Sequence, residues 1–198
     1  METTTGPGYP ATYDLDAPEG VANWRPLVQW ILAIPHLIVS GALGYLAGAV
    51  ALVSAFTVLF TRSIPEGLFN LQVMVMRYRA RVSAYAAFLH DRYPKFEFEL
   101  VAADPGGDPV RLAVSRPETW NRWLPLVKWL LAVPHYVVLA VLGIASFVIG
   151  IVAFFAVLFT GRYPLGLRGF IVGVNRYATR VTAYVLLLRD EYPPFSLA

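Results

Sequence analysis

Cysteine is absent from the 198 residues, which removes disulfide frameworks, thiol chemistry and cysteine-based zinc sites. Charge is scarce. Asp, Glu, Lys and Arg together make up 15% of the chain, where a soluble domain carries about 25%. The net charge of +3 is spread thinly, and without a dense Lys/Arg run no nucleic-acid partner is expected. No nucleophilic triad, no glycine loop ending in Lys-Ser/Thr and no metal-ligand cluster can be found. Neither catalysis nor a cofactor is therefore expected. Met1 to Gly20 is acidic and rich in Pro and Gly, and it does not read as a secretory leader.

What is present is apolar. Hydrophobic residues reach 57%, and the mean hydropathy is +0.55. Leu27 to Phe60 contains no charged side chain, and neither does Leu130 to Phe159. About 20 such residues cross a bilayer as a helix, and both runs are longer. A chain this short cannot bury two of them in its own core. A membrane protein is expected.

The sequence is also written twice. A shift of 99 positions lays Trp24-Arg25-Pro26-Leu27-Val28-Gln29-Trp30 on Trp123-Leu124-Pro125-Leu126-Val127-Lys128-Trp129. It lays Ala33-Ile34-Pro35-His36 on Ala132-Val133-Pro134-His135, and Arg77-Tyr78 with Arg81-Val82 on Arg176-Tyr177 with Arg180-Val181. Identity over the two copies is about two positions in five, which indicates duplication. The division that follows is a disordered tail over 1–8, a membrane repeat over 9–99, a turn-rich linker over 100–109 and a second repeat over 110–198.

Within a repeat, Ala11 to Asp16 and its counterpart Val110 to Ser115 alternate as strands do, and so does Phe96 to Leu100. The turn formers of Asp104 to Pro109 predict a hairpin between Phe96–Val101 and Val110–Ser115. Symmetry predicts that Phe195 to Leu197 pairs near Tyr13. Trp24, Trp30, Trp123 and Trp129 beside basic residues mark the headgroup level. Pro35 and Pro134 predict a kink in each apolar helix. Gly41, Gly44 and Gly48 share a face that permits close helix approach.

A second helix follows in each copy, with Leu71, Val75, Tyr78, Val82 and Tyr85 on one stripe. It either crosses back or lies along the membrane surface, and two crossings per repeat are expected. The fold class is thus an all-α integral membrane protein of two tandem pseudo-twofold repeats. Each repeat has two long helices, giving four membrane helices, with short β-hairpin segments on the cytoplasmic side. Lys and Arg are denser in the tails and linker, which predicts cytoplasmic termini.

Arg77, Arg81, Arg176 and Arg180 are the costliest residues in such a setting, at about 2.5–3.5 kcal/mol each at mid-membrane. Their i, i+4 spacing forms a cationic ledge suited to an anion or lipid headgroup, or else anchors the helices. Asp91 and Asp190 are available partners but lie about 15 Å along the same helix. His36 and His135, each after a proline, are the pair able to ligate a haem or metal. The plainer reading is that each bonds within its own proline kink.

The motifs Trp-x-Pro-Leu-Val-x-Trp-x-Leu-Ala-x-Pro-His, Leu-Phe-Thr-Gly-Arg-Tyr-Pro, Arg-Tyr-x-x-Arg-Val-x-Ala-Tyr and Tyr-Pro-Pro-Phe-Ser-Leu stand fully in the second copy, Leu130 to Leu197 above all. Through them the chain resembles the bacterial membrane proteins grouped as domain of unknown function 4389. The first copy departs at Arg62-Ser63-Ile64-Pro65 and at Lys95. The resemblance implies no transferable activity. The expected function is a non-catalytic membrane scaffold or accessory subunit, with membrane lipids and other subunits or its own copies as partners. The alternative is a small transporter, channel or lipid-binding protein built on the four arginines.

Overall fold

The computed structural model describes residues 9–17 and 20–198; the expected tail over 1–8 lies outside the described residues. Strand β1 (Ala11–Leu15) leads to α1 (Arg25–Thr61) and α2 (Glu66–Ala86). Strand β2 (Val110–Val114) then leads to α3 (Leu124–Leu131), α4 (Val133–Thr160) and α5 (Leu165–Val185). The protein is mostly helical with one two-stranded sheet.

Prolines set the helix starts. Pro26, Pro125 and Pro134 occupy first-turn positions of α1, α3 and α4, where a missing N–H costs nothing. Pro65 and Pro164 precede α2 and α5 in extended geometry. Pro35 does not break α1, whereas the second copy divides at Ala132. The C-termini of α2 and α5 close alike. Phe88 and Leu187 take left-handed backbone, and the Leu89 and Leu188 amides reach back to Ala84 and Ala183. That is a Schellman closure made without glycine.

The sheet corrects the hairpin expectation. Phe96–Val101 forms no strand; β2 instead pairs antiparallel with β1, Tyr13 opposite Leu112 at the centre. Phe195 to Leu197 likewise forms no strand. The reason is side-chain placement. Phe96 and Phe195 are drawn against the helices as ring partners, so their backbones are not free to join a ladder. The inward residues Ala11, Tyr13, Val110, Leu112 and Val114 are buried, while Thr12, Asp14, Arg111 and Ala113 face out. This is the one-sided alternation of an antiparallel sheet with a single covered face.

The copies are interleaved. β2 of the second copy packs on α2 of the first, and β1 of the first packs on α5 of the second. One core joins Leu112 and Val114 to Ile64, Phe69, Val73 and Met76, and continues to Ala183, Leu187 and Leu188. The other joins Tyr13, Val21 and Val110 to Ile171, Ala84 and Leu89. Matched bonds tie the ends: the Val21 amide to the Gly161 carbonyl, and the Trp120 amide to the Arg62 carbonyl, both at 3.0 Å.

The order of layers is therefore sheet, then α2 with α5, then α1 with α4. α2 is buried along much of its length. The outermost helices are not. Arg25–Thr61 and Leu124–Thr160 are each 37 residues and apolar enough to cross a membrane, yet only 22% and 6% of their most apolar windows are buried. A core helix of a soluble protein is mostly covered; these are bare. Of the three expected helix-approach glycines, Gly44 meets the Arg79 guanidinium, and Gly41 and Gly48 face open space.

Candidate functional site

The four arginines singled out by spacing all lie on the sheet side of α2 and α5, where each is engaged by the chain itself. Arg77 Nη2 donates to the Val101 and Ala103 carbonyls at 2.8 and 2.9 Å. Arg81, 3% exposed, donates to Glu97 and Asp104, both at 3.1 Å, with Asp108 at 3.8 Å. Asp104 is held in turn by the amides of Gly106 and Leu112. Arg176 Nε donates to the Tyr13 carbonyl at 3.1 Å, and Arg180 to the Ser196 and Ala198 carbonyls at 2.6 and 2.9 Å.

The i, i+4 geometry brings each pair to one face, as its spacing implies. Its partners are linker, strand and C-terminal backbone. Charged donors fastened to carbonyls and carboxylates act here as staples: they hold extended segments against the helices. Glu97 shows the consequence. Partial burial works to raise its carboxyl, but bonds to Lys95 and Arg81 prevail and hold it below the ordinary carboxylate value.

Asp91 and Asp190 do not serve these arginines. Asp190 accepts from Lys128 Nζ at 2.7 Å, and Asp91 lies 4.0 Å from Arg25, so both hold the start of the apolar helix to the end of the second helix. Lys128 also donates to the Arg189 carbonyl, and its counterpart Gln29 donates to the Tyr85 and His90 carbonyls at 2.7 and 2.8 Å. Lys128, expected among the basic residues at the headgroup level, is instead buried, as is its counterpart Gln29. The signal was there: two polar side chains at matched positions in otherwise apolar helix starts.

The histidines do not converge. His36 Nδ1 bonds the Tyr78 hydroxyl at 2.8 Å, with Phe96 stacked at 4.2 Å and Tyr93 edge-on at 4.7 Å. His135 Nδ1 bonds the Tyr177 hydroxyl at 2.6 Å, with Phe195 at 4.3 Å and Tyr192 at 4.6 Å. Each ring is enclosed by aromatic residues of its own copy. Among the described residues, no three His, Asp or Glu side chains gather as a metal site requires. Each histidine clamps α1 or α4 to the following helix and to the chain after it.

A cleft of about 210 Å³ lies between α2 and α5 beneath the centre of the sheet. Tyr13 and Leu112 lie at its sheet side, and Arg79, Asn175, Thr179 and Thr182 line its flanks. Arg79 escaped the sequence reading because its counterpart is Ala178, and symmetry drew attention only to what repeats.

The fold is that of a duplicated helical protein with two bare apolar helices and a sheet shared between the copies. The sequence profile of the family described as Domain of unknown function (DUF4389) matches it twice, at residues 23–97 and 122–196, and the chain belongs to that family. The two matches bear out the tandem duplication. No curated protein and no solved structure matches the chain.

Proposed function

We propose that the protein is a non-catalytic integral membrane scaffold or accessory subunit, resident in the bacterial plasma membrane and assembling with other membrane proteins or with itself. The observation that carries this reading is the bareness of the two apolar helices, 22% and 6% buried over their most apolar windows. Surface of that kind is stable only against lipid or another apolar partner. The four arginines support a structural rather than a transport role, since each donates to acceptors of the chain itself.

The arrangement we favour sets α1 and α4 within one leaflet, α2 and α5 above them, and the sheet in water on the cytoplasmic side. α1, about 55 Å long, has its start and end bonded to opposite ends of the other copy. Were it to cross the bilayer, the sheet over the middle of α2 and α5 would sit at mid-depth. Asp14, Arg111, Asp104 and Arg81 would then be there too, at a cost of several kcal/mol each. Lying flat, none of them leaves the aqueous side. This reading replaces the expected four crossings with two embedded helices, and keeps the termini cytoplasmic.

The test is fractionation and capture. The protein should resist alkaline carbonate extraction of membranes and should co-purify in mild detergent with defined membrane proteins or as an oligomer. Changing Arg77, Arg81, Arg176 and Arg180 together to Gln should lower abundance and assembly. Recovery as a detergent-free monomer would end the membrane reading; loss of a solute flux with assembly intact would replace the scaffold with a transporter.

A further inference from the structure

We infer that the cleft between α2 and α5 is a binding site for a phosphate group, with Arg79 as its cation. This goes beyond the scaffold reading and does not use the four stapling arginines. Arg79 lies on α2 two residues from both Arg77 and Arg81, so it points away from the sheet-side staples. Among the described residues it makes neither a salt bridge nor a hydrogen bond, and its guanidinium rests against Gly44 of α1, where a Cβ would stand 3.2 Å from Nη1. The glycine thus leaves room for a side chain that other residues would crowd.

The opposite wall is built for the same ligand. Asn175, Thr179 and Thr182 follow at i, i+4 and i+7 on α5, so their polar ends share one face. Their counterparts in the first copy are Met76, Ala80 and Ser83, so the donors on this wall belong to the second copy alone apart from the hydroxyl at the last position. Thr179 is 6% exposed and lines the cleft between Asn175 and Thr182. The Tyr13 hydroxyl, on a residue 2% exposed, is buried beside Asn175 without a bond of its own. A buried hydroxyl without a partner is costly, and an oxyanion would satisfy it.

One guanidinium, one amide and three hydroxyls facing an open cleft match a tetrahedral oxyanion carrying about one charge. No carboxylate lines the cleft to repel it. The phosphate is either the diester of an anionic lipid, reached from the α1 side, or free inorganic phosphate. The lipid source rests on α1 and α4 facing lipid; the free-phosphate source does not.

The experiment uses the full chain in nanodiscs of phosphatidylcholine, with or without phosphatidylglycerol, and separately titrates inorganic phosphate into the phosphatidylcholine discs. Binding is read by native mass spectrometry of retained lipid and by the phosphate dependence of the unfolding temperature. Arg79→Gln should weaken binding at least tenfold; Ala178 at the matched position shows that this helix face does not need the charge. Tyr13→Phe removes only a hydroxyl that has no partner, and should weaken binding about threefold with the fold intact. Retained phosphatidylglycerol lost in Arg79→Gln assigns the lipid; stabilisation by inorganic phosphate lost in Arg79→Gln assigns the free ion. Binding of neither probe, or equal binding by both variants and the original protein, overturns the site. Protein that stays in solution without detergent ends the lipid arm, and the phosphate titration then decides the site by itself.

Discussion

The Trp120 amide donates to the Arg62 carbonyl at 3.0 Å, so the turn after α1 is held by the segment that leads into α3. The Val21 amide holds Gly161 in the same way at 3.0 Å. If α1 lies flat, as proposed, Arg62, Arg92 and Arg162 all sit on one side of the membrane. The absence of native cysteine makes this simple to check. Single cysteines at the three positions should react with an impermeant maleimide from the cytoplasmic side only. Labelling of Arg62 and Arg92 positions from opposite sides would show that α1 crosses.

Because each copy's strand covers the other's second helix, neither copy should fold alone. Residues 1–104 and 105–198 expressed separately should be degraded, and co-expressed they should recover a joint complex. A stable, helical half by itself would contradict the shared core.

Tyr78→Phe and Tyr177→Phe each strip a buried histidine of its hydroxyl partner. An orphaned buried polar group costs about 1–3 kcal/mol. Each variant should lower the unfolding temperature followed by tryptophan fluorescence, and the two effects should add, since the histidine clamps belong to separate copies. Unchanged melting would mean the bonds contribute nothing.

Arg81 is nearly sealed among Glu97, Asp104 and Asp108, so Arg81→Gln removes the cation that joins the three, leaving Lys95 on Glu97 and Arg77 near Asp104. The loss of charge-assisted bonds should cost about 1.5–3 kcal/mol. Arg180→Gln loses only bonds to the Ser196 and Ala198 carbonyls, and should release the C-terminal segment without unfolding the rest. Hydrogen exchange should separate them, with protection lost across the linker and sheet in the first and over 190–198 in the second. Gly173→Ala should resemble Arg180→Gln, since a Cβ there would meet the Leu197 carbonyl oxygen at 2.8 Å.

His90, in the segment after α2, is buried. Burial pushes its pKa below the ordinary value; Asp108, a backbone bond at Arg92 and Asp91 oppose that, and Arg168 adds to it. The unfolded chain therefore takes the proton first, and stability declines as pH falls below about 6.5. Glu97 acts in a lower window. Its depressed pKa contributes stability that is present above about pH 4.3 and is lost as pH falls through the folded value. Melting temperatures should drop between about pH 7 and pH 5.5, and His90→Gln should flatten that slope while leaving the acid limb. A slope unchanged by the substitution would assign the titration elsewhere.

Some of the chemistry was visible without coordinates. The i, i+4 arginines do share a face, and the helix pair of each copy forms where apolar period and proline punctuation place it. What the arginines bind was not legible, because carbonyls of Val101, Ala103, Ser196 and Ala198 carry no side-chain signature. Alternation at Phe96 to Leu100 misled for a related reason. The rings of Phe96 and Phe98 lie against those of His36 and Tyr78 instead of alternating across a ladder.

Comparison of the chain with itself determined the duplication, and local composition and periodicity determined the two charge-free helices and the alternating strands, since these depend on residues near in sequence. Tertiary structure alone decided that the strands are exchanged between copies, that α1 and α4 run along each other's ends, and that Arg79 faces a cleft. Those outcomes depend on which surfaces close over which. A strand with one apolar face is satisfied by any matching cover, and only the assembled chain selects the one supplied by the other copy.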